Sequence, residues 1–403
     1  MALVVQKYGG SSLATPEHFK RVAAHVVKEK EKGNQVVVVV SALGETTDHL
    51  VELAHQVCDH PPEREMDMLL SVGERISIAL LAMAIHQLGY QAISFTGSQV
   101  GIITDNKHTE ARILEVRATR LLEQLEQGKI VIVAGFQGVS INKEITTLGR
   151  GGSDTTAIAL AAALKADRCE IMKDVEGIYV AEPKIIPDVR VNEHLSYDEM
   201  IEMSAMGAGV LKTEAIEVAK THQIKIAVGS SFTGKIGTIV TDRSLEGAHI
   251  SGIVGQKDLC FLTLECENWE SVYDLNLQLA QHRIKVPLYT HFGNRSFLLI
   301  PHAELSHLQD VITQLQNRDI IFHIHRAENR GIVAIIGTGL NYNSELSKQI
   351  FAVLRENRIT PEAFQMSQLR VSIALPEKEI DETIKLLYRE LIEKKREKKT
   401  EFI

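Results

Sequence analysis

The stretch Val4-Val5-Gln6-Lys7-Tyr8-Gly9-Gly10-Ser11-Ser12 ends an apolar strand in a lysine and two glycines just ahead of a helix. Glycine lets backbone N–H groups approach an anion, the helix turns its partly positive end to the same point, and Lys7 adds a full charge. The segment therefore reads as a phosphate cradle at the end of a strand. A second glycine-rich run is Thr147-Leu148-Gly149-Arg150-Gly151-Gly152-Ser153-Asp154-Thr155-Thr156. It lies between the apolar strand Ile130 to Ala134, with its following loop, and an alanine-rich helix. Two anion sites on one domain suit a phosphate donor and an anionic acceptor. Taken singly, Gly-Gly after a strand is most often a tight turn, and neither run fits the Walker or the dinucleotide fingerprint. The pairing of a lysine in one run with Arg-Gly-Gly-Ser-Asp in the other is what favours a ligand.

Residues 1 to about 245 alternate buried strands with helices, the pattern of a mostly parallel sheet between helix layers. Gln35 to Val40 and Lys129 to Ala134 are continuous apolar runs, whereas Thr15 to Lys32 and Glu63 to Gln87 carry helical periodicity. Thr15-Pro16 supplies a cap and an N1 proline, and the helix from Thr155 to Leu164 is apolar enough to be buried. Beyond Asp242 the pattern changes to strand Leu259 to Cys266, helix Glu270 to His282, strands Ile284 to Thr290 and Ser296 to Pro301, helix Ala303 to Gln316 and strand Ile320 to His325. That is one βαββαβ unit. A second starts at Gly331 to Ile336 and runs through helix Ser344 to Asn357, strands near Glu362 to Met366 and Arg370 to Leu375, and helix Glu377 to Glu393. His249 to Val254 would supply its missing strand, which makes the first unit an insertion in the second. The closing run from Glu393 to Lys399 reads as a solvated tail.

With 403 residues, 44% of them apolar, and a net charge of −8, the chain is expected to be a globular protein of two or more domains. No basic stripe and a single Trp argue against nucleic acid as a partner. Cys58, Cys169, Cys260 and Cys266 show no metal-binding spacing, so no metal site is expected in the protein itself and reduced thiols are the default. Apolar runs short of the roughly 18 residues of a membrane span, and an N-terminus without signal-peptide character, lead to a cytoplasmic expectation with no membrane partner.

Lys7 to Ser12, Arg64-Glu65-Met66-Asp67-Met68-Leu69-Leu70-Ser71-Val72-Gly73-Glu74, Phe95-Thr96-Gly97, Thr147 to Thr156 and Asp174-Val175-Glu176-Gly177 together resemble the aspartokinases. The resemblance implies an amino acid kinase fold over 1–245 and a regulatory region over 246–403 built of two ferredoxin-like ACT units. The first, about 257–326, would be inserted in a second made of about 249–256 and 330–393. It also implies phosphorylation of the L-aspartate side-chain carboxylate by ATP with Mg²⁺, opening the route to lysine, threonine, methionine and diaminopimelate, in a homodimer or larger assembly joined through the ACT-like region.

A carboxylate with a pKa near ~4 is ionised at neutral pH, so its attack on a phosphoryl group needs alignment and cations rather than a general base. The resemblance implies that Lys7 faces the transferring group, with Tyr8, Gly9, Gly10, Ser11 and Ser41 around the phosphates and Asp174, Val175, Tyr179 and Lys184 at the nucleotide. It implies Thr47, Glu74, Arg150, Gly151, Gly152, Ser153 and Asp154 for aspartate. Arg150 is the natural clamp for a carboxylate, and Glu74 and Asp154 are both candidates for receiving the ammonium or orienting the lysine. Lys7, Glu74 and Asp154 make the catalytic set. By itself, Glu74 would read as an exposed helical glutamate paired with Arg75 or a residue one turn away. The chain departs from the family pattern at Lys173, where Ser or Thr is usual, at Lys184, at Lys212-Thr213-Glu214 beside the expected nucleotide region, and at Gly229, where arginine is usual. These departures keep open a second reading, a paralogue of low turnover that binds amino acid as a regulatory subunit.

Overall fold

Val36 to Val40 are consecutive β-branched residues, all fully buried, and such a run is stable only as a strand covered on both faces. In the computed structural model, which describes residues 1–243, 247–266, 268–282, 284–318 and 320–394, it is an inner strand of an eight-stranded sheet. The strands up to residue 241 are β1 (Leu3–Tyr8), β2 (Gln35–Val40), β3 (Ala92–Phe95), β4 (Ile102–Thr104), β5 (Ile113–Val116), β6 (Ile130–Ala134), β7 (Gln137–Ser140), β8 (Ile145–Thr147), β9 (Arg168–Lys173), β10 (His194–Ser196), β11 (Ile226–Ser230) and β12 (Ile236–Thr241). The helices are α1 (Pro16–Glu31), α2 (Thr46–Val57), α3 (Glu63–Leu70), α4 (Val72–Gln87), α5 (Thr119–Glu126), α6 (Gly152–Ala163), α7 (Tyr197–Ala205) and α8 (Thr213–Thr221).

The large sheet runs β10-β12-β11-β9-β1-β2-β6-β3 and is parallel except between β11 and β12. Alternation decides its faces. Tyr8, Val36, Val38, Val40, Ile130, Ile132 and Met172 join Phe19, Val26, Ile78, Leu81 and Ile85 of α1 and α4 in one core. The intervening residues face α6, which packs on β1, β2 and β9 with α8 beside it. Thr15 caps α1 by accepting from the His18 N–H at 3.3 Å, with Pro16 in its first turn.

Three sequence expectations change here. The stretch after β6 is not a plain loop: β7 and β8 form a hairpin within a separate four-stranded sheet, β5-β4-β7-β8. The helix expected over Glu63–Gln87 divides at Ser71, whose N–H bonds back to Asp67, and the chain restarts as α4. One 18-residue window within Glu63–Gln87 is also apolar enough, by length and composition alone, to pass for a membrane span, which the sequence expectation did not anticipate. Ile78, Leu81 and Ile85 nonetheless pack into the core over the sheet.

The chain divides into two compact units. One holds Met1–Ile178, Val191–Ile201 and the described residues from Gly209 to 243; the other holds Tyr179–Arg190, Glu202–Ala208 and the described residues from 247 onward. The division thus does not fall at a single point in the sequence.

The second unit is built on β13 (His249–Cys266), β14 (Leu288–Phe292), β15 (Arg295–Pro301), β16 (Ile321–Thr338), β17 (Ala363–Met366) and β18 (Arg370–Pro376), in the antiparallel order β14-β15-β13-β16-β18-β17. Its helices are α9 (Trp269–Gln281), α10 (Leu305–Gln316), α11 (Ser344–Glu356) and α12 (Ile380–Tyr388). The separate strands read at 249–254 and 259–266, and again at 320–325 and 331–336, are each one continuous strand. A register shift between Gln256 and Leu259 absorbs the polar break, and Asp258 (φ 59°) and Asn329 (φ 57°) take the left-handed backbone that these residue types tolerate. Leu275, Leu279, Leu308 and Ile312 close one hydrophobic core, while Ile350, Leu354, Ile384 and Leu387 close the other. The helix expected over Glu377–Glu393 is a 3₁₀ turn, α12 and a π turn over Arg389–Glu393. Lys394 pairs with Glu390, and the rest of the proposed solvated tail lies outside the described residues.

Candidate functional site

Parallel strands bring their carboxyl ends to one edge, and β1, β2, β6 and β9 do so beside the amino end of α6. Lys7, next to last in β1, is flanked in register by Val39 and Ile171. Its neighbour Tyr8 takes the opposite face, so Lys7 points toward α6. There Asp154, in the first turn of α6, places Oδ1 2.7 Å from Lys7 Nζ, with side-chain exposures of only 5% and 8%. Lys173, the last residue of β9 and on the same sheet face, approaches Asp154 Oδ2 at 3.2 Å and also donates to the Val210 carbonyl. Burial alone would raise the Asp154 pKa; the charges of Lys7 and Lys173 override it and hold the carboxyl below its usual range. Of the two acids left open by sequence, Asp154 is the one against the lysine.

Of the two glycines at β1's exit, Gly10 is needed for close packing. A Cβ on Gly10 would come within 2.8 Å of the Gly44 carbonyl oxygen and 3.0 Å of that of Ala42. The segment after β2 is thereby laid on the cradle, and Ser41 donates its N–H to Tyr8 O at 3.1 Å. Gly10–Leu13 form a short 3₁₀ turn before α1, rather than α1 beginning directly after the glycines. Ser11 is exposed, while the buried Ser12 hydroxyl bonds that of Ser231 at 2.7 Å and Ser231 N–H bonds Lys173 O at 2.7 Å. Sequence reading did not find this tie.

In the second glycine run, Gly149 (φ 69°) and Gly151 (φ 73°) flank Arg150, which is exposed and without an ion-pair partner among the described residues. Gly152 and Ser153 are buried at the start of α6, Ser153 against Gly135. The Lys212 side chain runs under the turn, its Cγ 3.0 Å from where a Gly151 Cβ would sit and its Nζ donating to Leu148 O at 3.2 Å. Lys212 therefore supports the Arg150 loop, and Glu214 is exposed in the first turn of α8.

Glu74 is not an exposed helical glutamate. It is 2% exposed in α4, and its Oε1 accepts the Ala42 N–H at 3.0 Å while Oε2 is buried without a partner. Burial pushes its carboxyl up to about 7, against the pull of backbone hydrogen bonds. Half-buried Thr47 is the second residue of helix α2. Asp67, which sequence reading treated only as part of a motif, is fully buried and accepts from Thr147 Oγ1 at 2.5 Å, Thr109 N at 3.0 Å and His108 Nδ1 at 2.6 Å. It pins the start of the Arg150 loop to α3. A lone acid on the inward face of α3, one turn before Leu70, was the available signal.

At the end of β9, Asp174 is exposed and Val175 half-buried, and Gly177 is packed so closely that a Cβ would lie 2.6 Å from Val191 Cγ1. A cavity of about 450 Å³ opens beside this turn, lined by Glu176, Val191, Glu193, His194, Lys235, Ile236, Gly237 and Ile239. Gly229 stands at a β-bulge where a Cβ would come 2.2 Å from Lys235 O, so this backbone has no room for the arginine usual in the family. Tyr179 and Lys184 belong to the second unit, with Tyr179 packed against its core and Lys184 exposed. No cluster of three acidic, histidine or cysteine side chains suited to a metal exists among the described residues.

Residues 2–230 match the model of the amino acid kinase family. The chain is 41% identical over 387 residues to an aspartokinase of Geobacillus stearothermophilus, covering 94% of each. It is 42% identical over 408 residues to an aspartokinase of Mycolicibacterium smegmatis, covering 96% of each. Its structure resembles that of E. coli aspartokinase III in complex with aspartate and ADP, with a TM-score of 0.86, 25% identity and coverage of 96% of this chain and 99% of that one. The chain therefore belongs to the amino acid kinase family and, within it, to the aspartokinases.

Proposed function

We propose that this chain transfers the γ-phosphoryl group of ATP to the side-chain carboxylate of L-aspartate through Lys7, Asp154, Glu74 and Arg150, giving L-4-aspartyl phosphate. The observation that carries the assignment is the buried Lys7, held by Asp154 at the carboxyl ends of the parallel strands and beside two glycine turns. An anionic acceptor must approach an anionic donor, so catalysis here is alignment plus charge stabilisation. Lys7 supplies the cation at the transferring group and Asp154 fixes where its ammonium points. Gly9, Gly10, Ser11 and Ser41 surround the phosphates, and the cavity beside Asp174, Val175 and Gly177 takes the nucleoside end.

Arg150, exposed on its glycine hinge, clamps a carboxylate of aspartate with Gly151, Gly152, Ser153 and Thr47 alongside. The unpartnered Oε2 of Glu74 is an acceptor awaiting a cation, and the substrate ammonium would draw its raised pKa down by pairing with the ionised form. Magnesium would neutralise phosphate charge when bound; with no protein cage for it among the described residues, it fits as an ion carried by the nucleotide. Tyr179 and Lys184 remain proposed nucleotide contacts, and a cytoplasmic homo-oligomer joined through the two ACT-like units, about 257–326 within about 249–256 and 330–393, remains the proposed assembly. No observation favours the regulatory paralogue.

A hydroxamate assay with ATP and Mg²⁺, offering aspartate, glutamate and acetylglutamate as acceptors, tests the reading. Product with aspartate alone is the expected outcome; turnover confined to another acceptor, or none, would overturn it.

A further inference from the structure

We infer that Lys173 is a second phosphate-binding cation, gripping the phosphate chain of the nucleotide together with Lys7; this rests on the reading that ATP is the donor. The juxtaposition is one carboxylate between two ammonium groups: Asp154 Oδ1 lies 2.7 Å from Lys7 Nζ and Oδ2 lies 3.2 Å from Lys173 Nζ. Side-chain exposures of 8%, 5% and 19% for Lys7, Asp154 and Lys173 leave little water to solvate the excess charge. One net positive charge is therefore held in a largely buried place, a costly state unless an anion completes it.

The local backbone adds to that field. The amino end of α6 carries Asp154 in its first turn; the N–H groups of Gly152, Asp154 and Thr155 bond to the turn carbonyls of Gly149 and Gly151, and the helix dipole favours an anion at this end. Lys173 has three donors; Asp154 and the Val210 carbonyl take two, and the third is left for a ligand oxygen. Its strand position makes this possible: Ile171 pairs in register with Lys7, and Lys173, two residues on, returns to the same sheet face at the strand end. Merely neutralising Asp154 would be redundant, since Lys7 already does so at the shorter distance. The next residue along the chain, Asp174, also attracts the Lys173 ammonium, but its carboxylate is exposed to solvent and offsets the buried charge only in part. Serine or threonine, usual at this position, would offer a hydroxyl but no charge, so the cation is this chain's own.

The test compares the full-length parent with Lys173→Met, Lys173→Gln and Lys173→Arg by calorimetric titration with ATP, ADP and adenosine at fixed Mg²⁺, alongside the hydroxamate assay. Lys173→Met and Lys173→Gln should weaken ATP and ADP at least tenfold and leave adenosine within twofold. Lys173→Arg should stay within threefold of the parent for all three. The KM for ATP should rise at least tenfold in the two neutral variants, with that for aspartate within twofold. Lys173→Gln keeps hydrogen-bonding capacity toward Asp154 and Val210 without the charge, which answers the case in which Lys173→Met fails to fold. ATP and ADP binding within twofold of the parent in a folded neutral variant overturns the inference, as does an equal loss for adenosine, which would mark a role in site shape alone. A parent that binds neither nucleotide overturns the donor reading as well.

Discussion

Asp154 Oδ1 lies 2.7 Å from Lys7 Nζ, which joins the first turn of α6 to the end of β1 across the sheet face. The contact restricts a flexible ammonium to one position, and an electrostatic catalyst needs that preorganisation because the charge must be in place before the reaction develops its own.

Lys7→Met should lower kcat by about a hundredfold or more, since loss of one preorganised charge at a developing anion costs ~3 kcal/mol. Asp154→Asn should lower kcat less, because the lysine remains but is no longer held, and should also lower stability, because two buried ammonium groups lose their carboxylate. Steady-state kinetics check both; near-normal turnover in Lys7→Met would remove Lys7 from the chemistry.

Arg150→Ala should raise the KM for aspartate much more than that for ATP. The guanidinium projects between two left-handed glycines with no partner to lose among the described residues, so the effect should fall on the ligand. A charge-assisted pair of this sort contributes ~1.5–3 kcal/mol, about ten- to a hundredfold in KM. A larger effect on ATP would assign Arg150 to the nucleotide.

Glu74 should make the ligand-free protein less stable as pH rises. Its folded pKa of about 7 lies above the ordinary 4.5, so the folded state holds the proton more tightly. The associated stability is fully present below the unfolded value and is lost as pH rises through about 7. Glu74→Gln should escape the loss and gain on the order of 1–3 kcal/mol over the parent at pH 8, with little gain near pH 4. Urea unfolding followed by circular dichroism at the two pH values measures this. Parallel pH profiles for the two proteins would show that the carboxyl ionises freely.

Assembly should proceed through the second unit. The edge strand β14 carries Phe292, 84% exposed, and the adjoining α9 exposes Trp269 (70%) and Tyr273 (71%), an open edge beside an aromatic surface. Light scattering should give a dimer or larger species, and Phe292→Asp with Trp269→Glu should shift it toward monomer. A monomeric parent would defeat the expectation.

Much of the site was legible in sequence because its key residues lie close together along the chain. Lys7, Gly9 and Gly10 share one strand exit, and Arg150, Ser153 and Asp154 share one strand-to-helix turn, so glycine spacing and apolar periodicity were enough to mark both as candidate anion cradles. The continuous apolar runs of β2 and β6, alternating with helices along the chain, likewise determined a parallel sheet covered on both faces, and the strand and helix order after residue 242 determined a second α/β region. Only the tertiary structure decided which acid meets which cation. Asp154 rather than Glu74 holds Lys7, Lys173 joins them from β9, and Asp67 supports Thr147, because sheet order and register bring together residues that no local pattern connects. The same applies to Glu74, whose polarity suggested a solvated face until the packing of α4 on Ala42 buried it. Local propensity acts over a few residues, whereas burial and charge pairing are set by what the rest of the chain packs against that point.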